Sequence, residues 1–392
     1  ILVLAAGALY GLGTVAARFD WDGTVSTKAE ASPVDLLAKA QSHLDSGDQP
    51  SARAALAPLL EAGSTAPGAA RALYLAARIE SDAGRPEAAS PLLRRLIEEH
   101  PAAPETPHAM ARLAALREAQ GDAAAAHDLY SKLVRQAPPE LRAEAHLGLG
   151  RLALAQDVTR DAVEHLEHAA ARASWGSQVW GAAVDHLGAL RVEQIFSPVA
   201  TPDSRTYVVE PGDTLTAIGV KLNTTQGLLI RANGIDDPRN LRVGQKLKYT
   251  PKDFRIVIAL EGCMLYLYDN NGLFKRYPVG LGMPGYETTP GKYSIGNKQK
   301  DPTWFKPGSE PIPPGDPRNE LGTRWMPLVP VEAALPEDLG IHGTIEPESI
   351  GDFTSHGCAR MLPADVEELY DLVVRGTPVT IVPAHQPNVA DA

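Results

Sequence analysis

Ile341-His342-Gly343-Thr344 is followed a few residues later by Ser355-His356-Gly357-Cys358-Ala359-Arg360-Met361. Two histidines and two glycines surround one cysteine. The chain has only two cysteines, so Cys358 belongs to no framework of several disulfides. A thiol is a poor nucleophile and a thiolate a good one. An imidazole within hydrogen-bond reach lowers the thiol pKa and takes its proton. His342 precedes Cys358 by sixteen residues, far enough to return on a neighbouring strand. His356, two residues away, points elsewhere if the stretch is extended. Gly357 lets the backbone approach a substrate, and the amides of Gly357 and Cys358 are candidates to face a developing oxyanion. Two other readings compete. A buried apolar cysteine is disfavoured by its Ser, His and Gly neighbours. A His2Cys zinc site of His342, His356 and Cys358 lacks a clear fourth ligand and any His-Glu-x-x-His arrangement. The expectation is thiol acyl transfer without metal or cofactor.

Around this core the sequence reads as a mostly-β domain over 254–383, with a short tail at 384–392. Arg255 to Leu260 and Met264 to Tyr268 form an expected hairpin, with Cys263 as a structural residue at its turn. Tyr277 to Gly280, Lys292 to Ile295, Trp325 to Leu328 and Val379 to Val382 read as further strands. Ala364 to Val374 is the one strong helix, with Pro363 at its first turn. Trp304, Phe305 and Pro307 sit in a Pro/Gly-rich stretch and are lid candidates, or merely pack that loop.

Upstream, 206–251 carries Val209-Glu210-Pro211-Gly212-Asp213-Thr214-Leu215, a strand running into a Pro-Gly turn and a helix cap. Thr224 or Thr225 caps a second helix, Asn233-Gly234-Ile235 is a turn, and Leu241 to Leu247 leads into a last strand. A linker occupies 196–205.

From 32 to 195 the chain is rich in Ala and Leu with helical periodicity. Gly47-Asp48, Gly84-Arg85, Gly121-Asp122 and Gln156-Asp157 recur at intervals of 37, 37 and about 36. An Ala follows each Gly, or the corresponding Asp157, by five residues: Ala52, Ala89, Ala126 and Ala162. Each unit reads as helix, tight turn, helix and a loop that often carries proline. A generic bundle lacks such a period, so an all-α solenoid is expected, a surface suited to a protein partner. Residues 1–19 begin with an uncharged apolar stretch, read as a signal anchor more than a cleaved signal peptide. Both put the rest of the chain outside the cytoplasm, in the cell envelope. The 392 residues carry a formal net charge of −11 and no basic run, which disfavours nucleic acid as a partner.

Three resemblances follow from these motifs. His342-Gly343-Thr344 with Ser355-His356-Gly357-Cys358-Ala359-Arg360 resembles the catalytic motif of YkuD-type L,D-transpeptidases. Thr289-Pro290-Gly291-Lys292-Tyr293 looks like that family's strand entry with one residue fewer, and the Pro-rich run from Pro313 to Gly322 adds to the likeness. The resemblance implies Cys358 as nucleophile and His342 as its base. It makes His356 an orienting residue and gives the oxyanion hole to the backbone at 356–358. Arg360 supports the site or meets a substrate carboxylate, with Ser355, Gly343, Thr344 and Trp304 near the substrate. The stretch 206–251 resembles a LysM module, a βααβ fold that binds glycans, which implies a groove at Gly212, Asp213, Thr214 and Leu215 with Gly234 and Ile235 opposite. The helical segment resembles tetratricopeptide repeats. Together they imply a peptidoglycan cross-linking enzyme on the periplasmic side of the cytoplasmic membrane. It would form a thioester at the third residue of a stem tetrapeptide, release D-Ala and pass the acyl group to an amine, a 3→3 cross-link. L,D-carboxypeptidase action, attachment of a protein to the wall and a non-catalytic wall-binding scaffold stay open as alternatives.

Overall fold

The computed structural model describes residues 31–305, 308 and 310–385, together with the backbone of two short paired strands, β1 (Arg18–Phe19) and β2 (Val25–Ser26). The apolar segment before Arg18, and with it the expected anchor, lies outside the described residues. Among the described residues no helix is long and apolar enough to cross a membrane. Two compact units divide at 165/166.

The first unit holds α1 (Pro33–Asp45), α2 (Gln49–Glu61), α3 (Ala69–Asp82), α4 (Pro86–Glu99), α5 (Thr106–Ala119), α6 (Ala123–Gln136), α7 (Pro139–Ala155) and the start of α8 (Thr159–Arg172). The repeated turn residues all adopt left-handed backbone: Gly47 at φ 78°, Gly84 at 67°, Gly121 at 79° and Asp157 at 58°. Aspartate tolerates this region better than most non-glycine residues, so the fourth turn keeps its shape without a glycine. The alanines five residues on, Ala52, Ala89, Ala126 and Ala162, have no exposed surface. Their small side chains let paired helices approach. Three overlapping apolar clusters each join one helix pair to the next helix: α1–α3, α3–α5 and α5–α7. A chain of nearest-neighbour cores is the packing logic of a solenoid.

The second unit begins within α8 and continues with α9 (Gln178–Phe196). Then come β3 (Arg205–Val208), α10 (Leu215–Lys221), α11 (Gln226–Asn233) and β4 (Lys246–Tyr249). Strands β3 and β4 pair antiparallel, giving the expected βααβ module. Thr214 and Thr225 cap the two helices by accepting from the Ala217 and Leu228 amides, and Gly234 ends the second at φ 56°. The module is not a separate bead. Leu228 and Ala232 of α11 are buried in the main core of the β-domain, together with Phe196 of α9.

That domain contains β5 (Arg255–Ala259), β6 (Met264–Asp269), β7 (Gly272–Pro278), β8 (Leu281–Gly282), β9 (Gly291–Ile295), β10 (Gln299–Lys300), β11 (Arg324–Pro330), β12 (Gly340–His342), β13 (Phe353–Ser355), β14 (Ala359–Arg360), α12 (Pro363–Leu372) and β15 (Pro378–Val382). The main sheet runs β14-β12-β11-β9-β15-β5-β6-β7, with β10 beside β11, while β8 and β13 form a small parallel pair. Both faces of its middle are covered. Ile256 and Ile258 share a core with Val366 and Leu369 of α12, whereas Val257, Tyr266 and Tyr268 pack on Trp180 and Val184 of α9. Double coverage explains why β5 and β6 read as unbroken apolar runs instead of alternating. α9 comes close because it presents glycines to β7. A Cβ on Gly188 would lie 2.8 Å from Lys275 Cγ, and one on Gly181 2.5 Å from an Arg276 terminal nitrogen. The helix expected to close the solenoid therefore serves as the outer layer of the β-domain.

Candidate functional site

The site is assembled at one edge of the sheet. β12 and β14 run parallel, with Ile341 opposite Ala359 and His342 opposite Arg360. Ile341 and Ala359 are buried in the core. Side chains alternate along a strand, so His342 and Arg360 take the other face. Antiparallel pairing sets Trp325 of β11 opposite His342, and their ring centroids are 5.7 Å apart. Gly340 makes room for that indole, because a Cβ there would lie 2.2 Å from the Trp325 ring. Cys358 lies just before β14, two residues from Arg360. Its thiol meets the Gly340 backbone, at the start of the strand that carries His342.

His342 is 4% exposed, and its Nδ1 lies 2.6 Å from the Gly343 carbonyl oxygen. A carbonyl only accepts, so this contact assigns the proton to Nδ1. Burial lowers the His342 pKa to about 4, although the Gly343 and Glu320 backbones favour the charged form. Burial also raises the Cys358 thiol to about 11, opposed by the Gly340 backbone. Cys358 is half-buried, and the Asp338 carbonyl oxygen is 3.8 Å from its sulfur. The resting site is therefore a neutral thiol and a neutral imidazole at pH 7. Sequence reasoning expected a thiol pKa lowered by histidine; dehydration dominates instead.

The loop around the cysteine is held from inside. Ser355, 1% exposed, donates Oγ to the Cys358 carbonyl at 2.7 Å and accepts from the Gly357 amide at 3.2 Å. Gly357 has φ 112°, a conformation that side chains disfavour. Its carbonyl accepts from Thr288 Oγ1 at 2.7 Å. Both backbone groups of Gly357 are thus engaged within the protein. His356 is exposed and sets its ring edge against Tyr286, 4.8 Å between centroids.

Arg360 is 6% exposed and bridges two carboxylates, Glu320 at 3.0 Å and Glu346 at 3.3 Å. Its terminal nitrogens are committed within the protein. Support of the site fits this arrangement, and capture of a substrate carboxylate would require exchanging one of these partners. Thr344 Oγ1 accepts from the Glu346 amide at 2.9 Å and so shapes the turn carrying that carboxylate. Gly343 packs against the backbone of Gly322, whose φ is 63°. Trp304 exchanges backbone hydrogen bonds with Ile312, both 2.9 Å, at the neck of the Pro-rich loop. Phe305 is exposed, and Pro307 lies outside the described residues.

Family models match three segments: an L,D-transpeptidase catalytic domain over residues 253–381, a LysM domain over 207–250, and tetratricopeptide repeats over 37–104 and 74–140. The putative L,D-transpeptidase YkuD of Bacillus licheniformis is 33% identical over 183 residues, which covers 45% of this chain and 98% of that protein. This chain belongs to the L,D-transpeptidase family. The putative YkuD of Bacillus subtilis shows the same identity and shares. Among solved structures, an L,D-transpeptidase from Mycobacterium smegmatis is 16% identical with a TM-score of 0.28, over 36% of this chain. The chain spans 64% of the length of that structure.

In this L,D-transpeptidase the LysM residues play mixed parts. Asp213 accepts from the Glu210 amide at 2.8 Å and the Tyr207 hydroxyl at 2.7 Å, fixing the loop after β3. Gly212, at φ 86°, would bring a Cβ near no other atom, so its surface is open. Leu215 is 2% exposed in the module's own core, and Ile235 packs on that core. The Leu215 side chain therefore serves the fold, since its apolar surface is already covered, and any ligand contact there is left to its backbone. Four more residues complete the catalytic edge: Thr288 and Glu346, which sequence reasoning passed over, and Asn319 and Glu320, which it met only as part of the Pro-rich run. Asn319 is 2% exposed and donates to the carbonyls of Pro302, Ile312 and Pro313, pinning the Pro-rich loop. Thr288 adjoins the quoted Thr289-Pro290 motif, the one local signal that pointed near it.

Proposed function

We propose that this enzyme cross-links peptidoglycan stem peptides in the cell envelope through a Cys358 thioester. One observation supports the reading: the Gly343 carbonyl oxygen lies 2.6 Å from His342 Nδ1, on a strand paired with the one that Cys358 leads into. His342 Nε2 takes the thiol proton as Cys358 sulfur bonds to the carbonyl carbon of the third stem residue. The oxyanion is met by the free amides of the 356–358 loop. His342 then gives the proton to the nitrogen of the departing D-Ala as the C–N bond breaks. A thioester remains. An acceptor amine attacks it, transfers its proton to His342, and leaves an amide bond and a thiolate that regains the proton. General-base attack suits a thiol of raised pKa, because no standing thiolate is required. The LysM module supports a glycan-bearing substrate, and groups at Gly212, Asp213, Thr214 and Gly234 are its contact candidates. The neutral, buried pair also limits hydrolysis by keeping water from the thioester.

The test is mass spectrometry of protein and products after incubation with a disaccharide-tetrapeptide. An adduct on Cys358 with release of D-Ala, followed by a cross-linked dimer, is the expected result. Release of tripeptide alone would make the enzyme a carboxypeptidase. Wild-type protein that gains no adduct, and loses nothing when Cys358→Ala is introduced, would mark a scaffold.

A further inference from the structure

A cleft of about 700 Å³ in the second unit shares no lining residue with the Cys358 site. It lies among the end of α8, α9, the linker, the residues just after β4, and the β6–β7 hairpin. Its volume is within the ordinary range for a small-molecule site. We infer that it is a saccharide-binding site, distinct from the glycan groove expected on the LysM module.

Three features of the wall point to that ligand class. The first is an aromatic platform. Trp175, in the turn between α8 and α9, is half-buried and braced edge-on by Trp180, 4.0 Å between centroids. A braced indole offers a rigid apolar face, which matches the C–H face of a sugar ring. The second is internal charge pairing. Lys252 lies between Asp203 at 3.1 Å and Asp269 at 2.8 Å, and Arg191 is 3.9 Å from Glu167. Both cations of the wall are thus paired inside the protein, and with three carboxylates against two cations nothing there is left to bind an anion. The third is an unmet polar atom. Thr250 is 4% exposed, lines the cleft, and its Oγ1 makes no hydrogen bond. A buried hydroxyl without a partner is unfavourable, and a turn of the Thr250 side chain toward the cleft would let a ligand hydroxyl relieve it. A neutral molecule with one apolar face and a rim of hydroxyls fits all three. An extended peptide matches them less well, since its backbone would need a sheet edge or a row of amides.

The reading is independent of the Cys358 chemistry, so the test uses full-length Cys358→Ala protein, which cannot turn over. The probe is the N-acetylglucosamine tetramer. The readout is tryptophan fluorescence. Residues 206–251 contain no tryptophan, and because Trp304 and Trp325 belong to the catalytic site the signal is assigned to the cleft by its loss in Trp175→Ala protein. A saturable change is expected, and Thr250→Val, which keeps the shape and the signal, should weaken it about fivefold. Calorimetry on Trp175→Ala should show one saccharide fewer bound per chain, while circular dichroism checks its fold. An unchanged saccharide count in folded Trp175→Ala protein overturns the proposal. So does a fluorescence change equally strong in Thr250→Val, or a response to trialanine but not to the tetramer.

Discussion

Alkylation of Cys358 by iodoacetamide reads the state of the site directly. The thiolate is the reacting form, and the Cys358 pKa is pushed up to about 11 by burial. At pH 8 such a thiol is about 0.1% ionised, against roughly 25% for an ordinary cysteine of pKa about 8.5. The deficit is about two hundredfold. A more basic thiolate is also intrinsically more reactive, by roughly tenfold over 2.5 pKa units. The net expectation is alkylation of Cys358 about twentyfold slower than a free cysteine at pH 8, rising nearly tenfold per pH unit up to pH 10. His342→Ala should scarcely alter this rate, since the histidine is uncharged there and acts only when substrate is attacked. The assay is peptide mass spectrometry over a pH series, which separates Cys358 from the buried Cys263. A rate that levels off with a midpoint near or below pH 8.5 would refute the reasoning. It would mean that Cys358 and His342 rest as an ion pair and that their charges outweigh burial.

Two further outcomes follow from the same edge of the sheet. His342 has a pKa of about 4 when folded and about 6.5 when unfolded, so below pH 6.5 the unfolded chain gains a proton that the folded one resists; stability should fall between pH 6.5 and 4, by up to about 3 kcal/mol, and denaturant titration of His342→Gln should show a shallower loss. Gly340→Ala should push the Trp325 ring off its seat beside His342, cost about 1–3 kcal/mol, and reduce thioester formation, read by calorimetric melting and by Cys358 adduct yield.

What the sequence told, and what it withheld, divides by distance along the chain. The solenoid was legible because its turns repeat a local requirement. Gly47, Gly84, Gly121 and Asp157 all need positive φ, and the alanine five residues on must vanish into a helix contact. The cysteine loop was legible for the same reason, since Ser355 binds groups only two and three residues away. The partners of the site were not. Thr288 meets Gly357 across 69 residues, and Arg360 finds Glu320 across 40, joined only by folding. Strands of two and three residues, β14 and β12, carry no periodic signal, yet their pairing sets His342 opposite Arg360, two residues after Cys358. Spacing named the reacting groups but not the amount of water left around them, so the direction of the thiol pKa was misjudged. α9 carried a helical pattern that fitted a solenoid equally well, and only its glycines, 181 and 188, hinted at a close-packed partner on the other side.

The join between α11 and α12 gives the molecule a mechanical character. Thr225 donates to the Asp371 carbonyl, Arg231 pairs with the Asp371 carboxylate at 3.4 Å, and Leu228 is embedded in the shared core. A pull on the LysM module is taken up by this seam before the 196–205 linker can stretch. Tension in a strand held by the module would then pass straight into α12 and the sheet beneath the cysteine. The two parts should yield together, in one rupture event, and not one after the other.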